Sequence, residues 1–178
     1  MLRSGKVYNT INSLSCVVPS NVPEAMNSSN AEEWRAAMQR EYSSLIKNGT
    51  WELTDLPQSQ KPVGCKWVFT VKHDKNGAIS KYKARLVAKG CSQKYGVNYT
   101  ETYSPVVRYS NIRLLVALAV EHKLYMHQMD VSSAYLNGDL SDDVYMVQPE
   151  LFIDKEKPSS VLKLKKSLYG LKQSGREW

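Results

Sequence analysis

MDVSSAYLNGDL, Met129 to Leu140, is the stretch whose reading decides the fold. It puts a carboxylate, Asp130, at the end of an apolar run. An aromatic, Tyr135, follows five residues later, and Asn137-Gly138 closes the segment. These residues alone leave two readings open. Asp130 either caps a short turn before Ser132, or it sits where a strand end opens to a cleft, a common place for functional side chains. The sequence just upstream supplies the setting for the second. Leu124 to Asp130 reads as a strand running out of the core. Before it, NIRLLVALAVEHK (111–123), with Ser110 as cap, reads as a helix that is apolar nearly all round from Leu114 to Val120. Such a helix is expected to lie buried against a sheet. Ser132 to Leu136 reads as a tight helical turn.

Charge distribution narrows the choice. The chain has 178 residues, enough for one domain with a proper core. Its 42% hydrophobic and 23% charged content is that of an ordinary globular protein. Lysines and arginines exceed acidic residues by 24 to 17, for a net charge of +7 and a pI near 9.2. From Lys61 to Lys94 there are nine basic residues and one acidic one, Asp74. From Lys155 to Trp178 there are seven basic and two acidic, and the remainder is acidic on balance. Two basic segments flanking a lone Asp favour a polyanion partner over a merely solvated face. Cys16, Cys65 and Cys91 are odd in number and lack metal-ligand spacing, as expected of reduced thiols in an intracellular protein. No apolar run reaches transmembrane length, and no membrane partner is expected. The N-terminus, with INSLSCVV broken by polar residues, is a poor signal peptide.

Taken in order, residues 1–29 are rich in Ser and Asn and read as a flexible leader or linker. Asn30, with Glu33 as capping-box partner, opens a helix carrying Trp34, Met38, Tyr42 and Leu45 on one stripe, with Ala37 and Ile46 beside it. Asn48-Gly49 stops it. Thr50 to Pro57 is extended. GCKWVFTVKHDKNGAISKYKARLVAKG (64–90) reads as a β-hairpin turning at Asp74 to Gly77. On its return strand Lys81, Lys83 and Arg85 face one way, and Tyr82, Ala84 and Leu86 the other. Three cations on one strand face repel each other and need water or an anion opposite. They suit either a soluble edge strand or a platform for phosphates. Lys94 to Pro105 is a loop. Val144–Gln148 and Val161–Leu164 form a second hairpin, and SLYGLKQSGREW (167–178) is a loop turning into a helix start. Asp142-Asp143 reads as a solvated turn.

At this point the residues resemble a known family. Trp34 and Glu41 with NGTW (48–51), CKWVF (65–69), YKARLVAKG (82–90), SPV (104–106), DVSSAYLNG (130–138), VYMVQP (144–149) and LYGLKQ (168–173) are similar, in this order, to the reverse transcriptase region of Ty1/copia retrotransposon polyproteins. The similarity covers roughly 24–178. It implies an α+β fold, a right-hand polymerase with fingers and partial palm over 30–178, truncated before the Tyr-x-Asp-Asp hairpin. Asp130 would be the first palm aspartate and, with Val131 beside it, the Mg²⁺ position. Lys83 and Arg85 would approach the incoming triphosphate or the template. Tyr135 would lie under the sugar and exclude a 2′-hydroxyl. Tyr169, Gly170 and Lys172 match the loop covering the nucleotide, while Lys81 and Lys89 would contact nucleic acid. Relatives usually carry proline where this chain has Gly175.

The implied chemistry is in-line displacement on an α-phosphorus with two Mg²⁺ ions, held by carboxylates, phosphate oxygens and water. One carboxylate does not suffice for two ions. The chain is therefore expected to be a fragment without polymerase activity of its own, its two Mg²⁺ bound only in the complete polymerase. The implied partners are RNA template, DNA primer, deoxynucleoside triphosphates and the rest of the Pol polyprotein, including the remaining palm and ribonuclease H. The implied setting is a cytoplasmic particle or the nucleus. The competing expectation is a degenerate or domesticated non-enzymatic nucleic-acid-binding remnant. An unrelated basic α+β binding domain is the third.

Overall fold

Trp34 organises the packing. Its indole is fully buried, with Phe69 edge-on at 5.2 Å and Tyr82 edge-on at 4.8 Å. The computed structural model describes residues 18–178. The architecture mixes helices with two antiparallel sheets. In chain order it runs α1 (Val22–Met26), α2 (Ala31–Lys47), β1 (Trp51–Thr54), β2 (Cys65–His73), β3 (Ile79–Ala88), α3 (Tyr109–Glu121), β4 (Tyr145–Met146), β5 (Val161–Leu164) and α4 (Ser174–Glu177).

The expected leader is ordered over its described part. Asn21 caps α1 by accepting the Glu24 N–H at 2.9 Å, and Ser20 donates its N–H and hydroxyl to the Glu24 carboxylate at 2.8 and 2.6 Å. Val22 and Ala25 are buried. Two apolar side chains and a reciprocal cap are enough to dock a single turn that composition alone reads as linker. Residues 1–17, with Cys16 and the basic N-terminus, lie outside the described residues.

α2 follows its apolar stripe. Trp34, Ala37, Met38 and Leu45 are buried and Tyr42 partly so, but Ile46 is half exposed. The Asn30 side chain makes no cap hydrogen bond, so the expected capping box does not form. The helix ends as expected. Gly49 adopts φ +61°, its N–H reaches the Ile46 carbonyl, and the Thr50 N–H reaches back to Leu45 at 3.1 Å.

The hairpin β2–β3 pairs Lys66 with Val87, Val68 with Arg85 and Thr70 with Lys83. Asp74 Oδ1 accepts the Asn76 and Ala78 N–H groups and sets the turn, with Gly77 at φ +84°. The face holding Ala84, Leu86 and Ala88 is buried, and α2 packs on β3. The second sheet has order β1–β5–β4. The expected strand over 144–148 is only two residues long: Tyr145 and Met146 pair with Lys163 and Leu162, and β1 pairs along the other edge of β5. Tyr42 stacks on Phe152 at 4.3 Å, and Phe152 meets Trp67 at 5.6 Å, so α2 and both sheets share one core.

Three expectations around Asp130 are corrected. Leu124 to Asp130 is not a strand, since no strand among the described residues pairs with it and extended backbone needs a ladder partner. Nor is α3 buried against a sheet. Leu115 is 64% and Val120 73% exposed, and of the helix only Ala119 is buried. A helix satisfies its backbone hydrogen bonds within its own segment, so an apolar pattern can read as a helix without specifying which surface covers it. Its N-cap is Arg108, not Ser110.

Candidate functional site

A cavity of about 230 Å³ opens between α2, β3, the segment around Asp130 and the loop after β5. Glu41, Lys83, Arg85, Asp130, Val131, Ser132, Ser133 and Tyr169 line it. The hairpin's alternation presents Lys83 and Arg85 on one face of β3, two residues apart. Asp130 is exposed. Just past it Ser133 takes φ +54°, which turns the chain into the helical turn Ala134–Asn137. Gly138 closes that turn, its N–H on the Tyr135 carbonyl at 3.1 Å.

Rings and cations organise the rim. The Arg85 guanidinium lies over the Tyr169 ring, 5.2 Å from its centroid, and Tyr135 packs edge-on against Tyr169 at 4.8 Å. Burial lowers the pKa of the Lys83 ammonium, and the charges of Arg85, Lys72 and Lys81 add to the effect while Glu41 opposes it. Burial raises the pKa of the Glu41 carboxyl, against a hydrogen bond from the Leu86 backbone and the fields of Lys83 and Arg85.

Of the residues singled out by sequence, Asp130, Val131, Lys83, Arg85 and Tyr169 meet in this cavity, and Tyr135 stands behind Tyr169. The other four lie elsewhere. Lys81 lines an adjoining cavity with Arg40, Glu41 and Lys83, and Lys89 lines a third with Cys65 and Trp67. Gly170, at φ +93°, packs against the Ala88 backbone. Lys172 is tied to the 93–99 loop. Its N–H donates to Gln93 Oε1 at 2.8 Å, and its ammonium sits 4.7 Å from the Tyr99 ring centroid.

Sequence reasoning missed Glu41, Ser132 and Ser133 as lining groups. Glu41 left a signal: seven residues after Trp34, three after Met38 and four before Leu45, it is an acid on the apolar stripe. It also missed the buried amides. Gln173 donates to the Asn98 carbonyl at 2.8 Å and to Asp142 at 3.1 Å, and accepts from Gln93 at 3.0 Å. This fastens the 93–99 loop to the start of α4. Asp143 pairs with Lys163 at 2.9 Å. Cys65 and Cys91 are free thiols, and burial pushes the Cys65 thiol up to about 11, too high for a nucleophile at neutral pH.

The cavity's donors suit a hard cation. They are oxygens: the Asp130 and Glu41 carboxylates and the Ser132 and Ser133 hydroxyls. Among the described residues no group of three His, Cys, Asp or Glu could hold a metal. One or two carboxylates completed by phosphate and water is the usual way Mg²⁺ is bound. Among the described residues no helix is long and apolar enough to cross a membrane.

Comparison with known proteins agrees with the residues. The family described as reverse transcriptase (RNA-dependent DNA polymerase) matches residues 48–178. The retrovirus-related Pol polyprotein from transposon RE1 of Arabidopsis thaliana is 49% identical over 148 residues, 83% of this chain and 10% of that polyprotein. The corresponding polyprotein from transposon TNT 1-94 of Nicotiana tabacum is 45% identical over 160 residues, 90% of this chain and 12% of its own length. The truncated transposon Ty1-A Gag-Pol polyprotein of Saccharomyces cerevisiae is 33% identical over 153 residues, 83% of this chain and 12% of its own. The chain thus spans about a tenth of the length of the curated relatives it matches. No solved structure matches.

Proposed function

Since the chain belongs to the reverse transcriptase (RNA-dependent DNA polymerase) family, in its Ty1/copia branch, we propose that the cavity at Asp130 receives the triphosphate of a deoxynucleotide in RNA-directed DNA synthesis. One observation carries this: an exposed carboxylate, two cations and an aromatic ring from three separate parts of the chain line one cavity. Lys83 and Arg85 neutralise phosphate charge, most usefully where it builds during transfer. Arg85, braced on Tyr169, offers a planar fork that matches phosphate oxygens. Tyr135 packs edge-on behind Tyr169 and backs the ring that would meet a deoxyribose, so that the pair selects against a 2′-hydroxyl. Gly170 and Lys172 hold the loop that presents Tyr169.

Asp130, with Val131 beside it, is where Mg²⁺ would be held. When bound, the ion would neutralise phosphate charge and acidify the attacking hydroxyl. In this reading β2–β3 is the fingers ribbon of a right-hand polymerase, and the Asp130 segment begins its palm. Lys81 and Lys89, outside the cavity, carry phosphates of template or primer. The partners are then RNA template, DNA primer, deoxynucleotides and the rest of a Pol polyprotein with its remaining palm and ribonuclease H. The setting is inside the cell, in a cytoplasmic particle or the nucleus.

Titration of the purified chain with a fluorescent deoxynucleoside triphosphate, with and without Mg²⁺, tests the assignment. Binding is expected to strengthen with Mg²⁺ in the wild type and to lose that strengthening in Asp130→Asn. Equal binding by wild type, Asp130→Asn and Arg85→Ala would remove the nucleotide from this cavity.

A further inference from the structure

Glu41 stands where an acid is least expected. It projects from the α2 face that packs on β3, and together with Lys83 it lines both the Asp130 cavity and the adjoining one of about 130 Å³. A carboxylate loses hydration there, so the position needs a compensating interaction. The compensation is diffuse. The Leu86 backbone hydrogen-bonds it, and Lys83 and Arg85 act through their fields. Among the described residues no close ion pair joins Glu41 to either cation. Arg40, its neighbour on α2, turns to the Tyr82 carbonyl at 3.2 Å.

This stand-off matters for what the cavity attracts. A direct salt bridge would occupy the N–H donors of Lys83 and Arg85. A carboxylate at a distance leaves the donors free and removes the net attraction. With Glu41 and Asp130 set against Lys83 and Arg85, the cavity carries two charges of each sign. A bare polyphosphate gains from the cations and loses to the carboxylates. A polyphosphate that brings its own divalent cation satisfies both signs at once.

Resting on the phosphate reading of this cavity, we propose that Glu41 is a specificity-determining residue, a stand-off carboxylate that makes the site discriminate against metal-free phosphate chains in favour of metal-complexed ones. It is discrimination by an unfavourable element rather than by an added contact.

Isothermal titration of the whole chain with inorganic tripolyphosphate, in EDTA and in Mg²⁺, tests it. The wild type is expected to bind weakly in EDTA and more tightly in Mg²⁺. Glu41→Gln is expected to bind the metal-free chain roughly tenfold tighter than wild type, as loss of one nearby like charge at intermediate dielectric implies. Its preference for the Mg²⁺ form shrinks accordingly. Glu41→Asp, which keeps the charge, should behave as wild type, and Glu41→Ala reads the same charge loss should the Gln substitution not fold. If Glu41→Gln and Glu41→Ala match wild type in EDTA while Lys83→Ala and Arg85→Ala weaken binding in Mg²⁺, the cavity takes phosphate and Glu41 has no such role. If Lys83→Ala and Arg85→Ala change nothing, the phosphate reading fails and this inference falls with it.

Discussion

The Arg85 guanidinium lies 5.2 Å from the centroid of the Tyr169 ring, so a cation from the hairpin and an aromatic some eighty residues on form one wall of the cavity. Tyr135 continues the column edge-on at 4.8 Å. A half-buried arginine still samples several rotamers, and a ring face restricts it for about 0.5–1 kcal/mol or more. Tyr169→Ala is therefore expected to weaken triphosphate binding by a few fold, up to about tenfold, while Tyr169→Phe keeps it. Arg85→Lys should fall between, because lysine lacks the planar fork. Equilibrium titration with a fluorescent deoxynucleotide measures all three. Unchanged binding in Tyr169→Ala would mean that the ring does not position the arginine.

Gly170 is required by space as well as by φ. A Cβ there would stand 2.1 Å from the Ala88 carbonyl oxygen and 2.6 Å from Val87 Cγ1, while φ is +93°. The same strand end is bonded to this loop, with the Ala88 N–H on the Tyr169 carbonyl at 2.8 Å. Gly170→Ala should cost about 3 kcal/mol in urea unfolding, since backbone on both sides must shift. Gly77→Ala, at φ +84° with open space around it, should cost only about 1–2 kcal/mol. Equal costs would show that conformation alone accounts for both glycines.

The Gln93–Gln173 pair is a satisfied buried network. Gln173→Ala removes a donor to Asn98 and Asp142 and the acceptor for Gln93. Stranding buried polar groups costs about 1–3 kcal/mol. The prediction is a drop in stability of that order, with faster amide exchange at Lys172, whose N–H depends on Gln93 Oε1. Exchange at Lys172 no faster than wild type would disconnect the two glutamines.

Glu41 makes stability depend on pH. Its folded pKa is raised above the ordinary 4.5, burial first among the causes, so the folded chain holds that proton more tightly than the unfolded one. The stability it contributes is fully present below about pH 4.5 and is lost as pH rises through the raised value. Relative to Glu41→Gln, the wild type should lose stability across that window and stay lower at neutral pH. Urea midpoints for both proteins between pH 4 and pH 8 measure it, and a constant difference would mean that Glu41 is not penalised by burial.

The parts of this chain that depend on near neighbours were legible. The α2 stripe, its stop at Gly49, the Asp74–Gly77 turn and the alternation of Lys83 and Arg85 with Ala84 and Leu86 follow from residues within four positions of one another. The docking of α1 was not legible, because one turn with two buried side chains looks like linker until its partner surface is present. The run 124–130 reads as a strand from its place after the helix and is not one, for pairing is settled by another segment.

By itself the sequence determined the family, the cationic ribbon and the aspartate to watch, since motif order and local periodicity are written along the chain. Only the tertiary structure decided that Glu41 from α2 faces Lys83 and Arg85 in the Asp130 cavity, that Tyr169 rather than Lys172 lines it, and that Gln93 finds Gln173. Those contacts join residues tens of positions apart. Which distant groups meet depends on how helix, hairpin and loops close on one core around Trp34, and no local pattern encodes that closure.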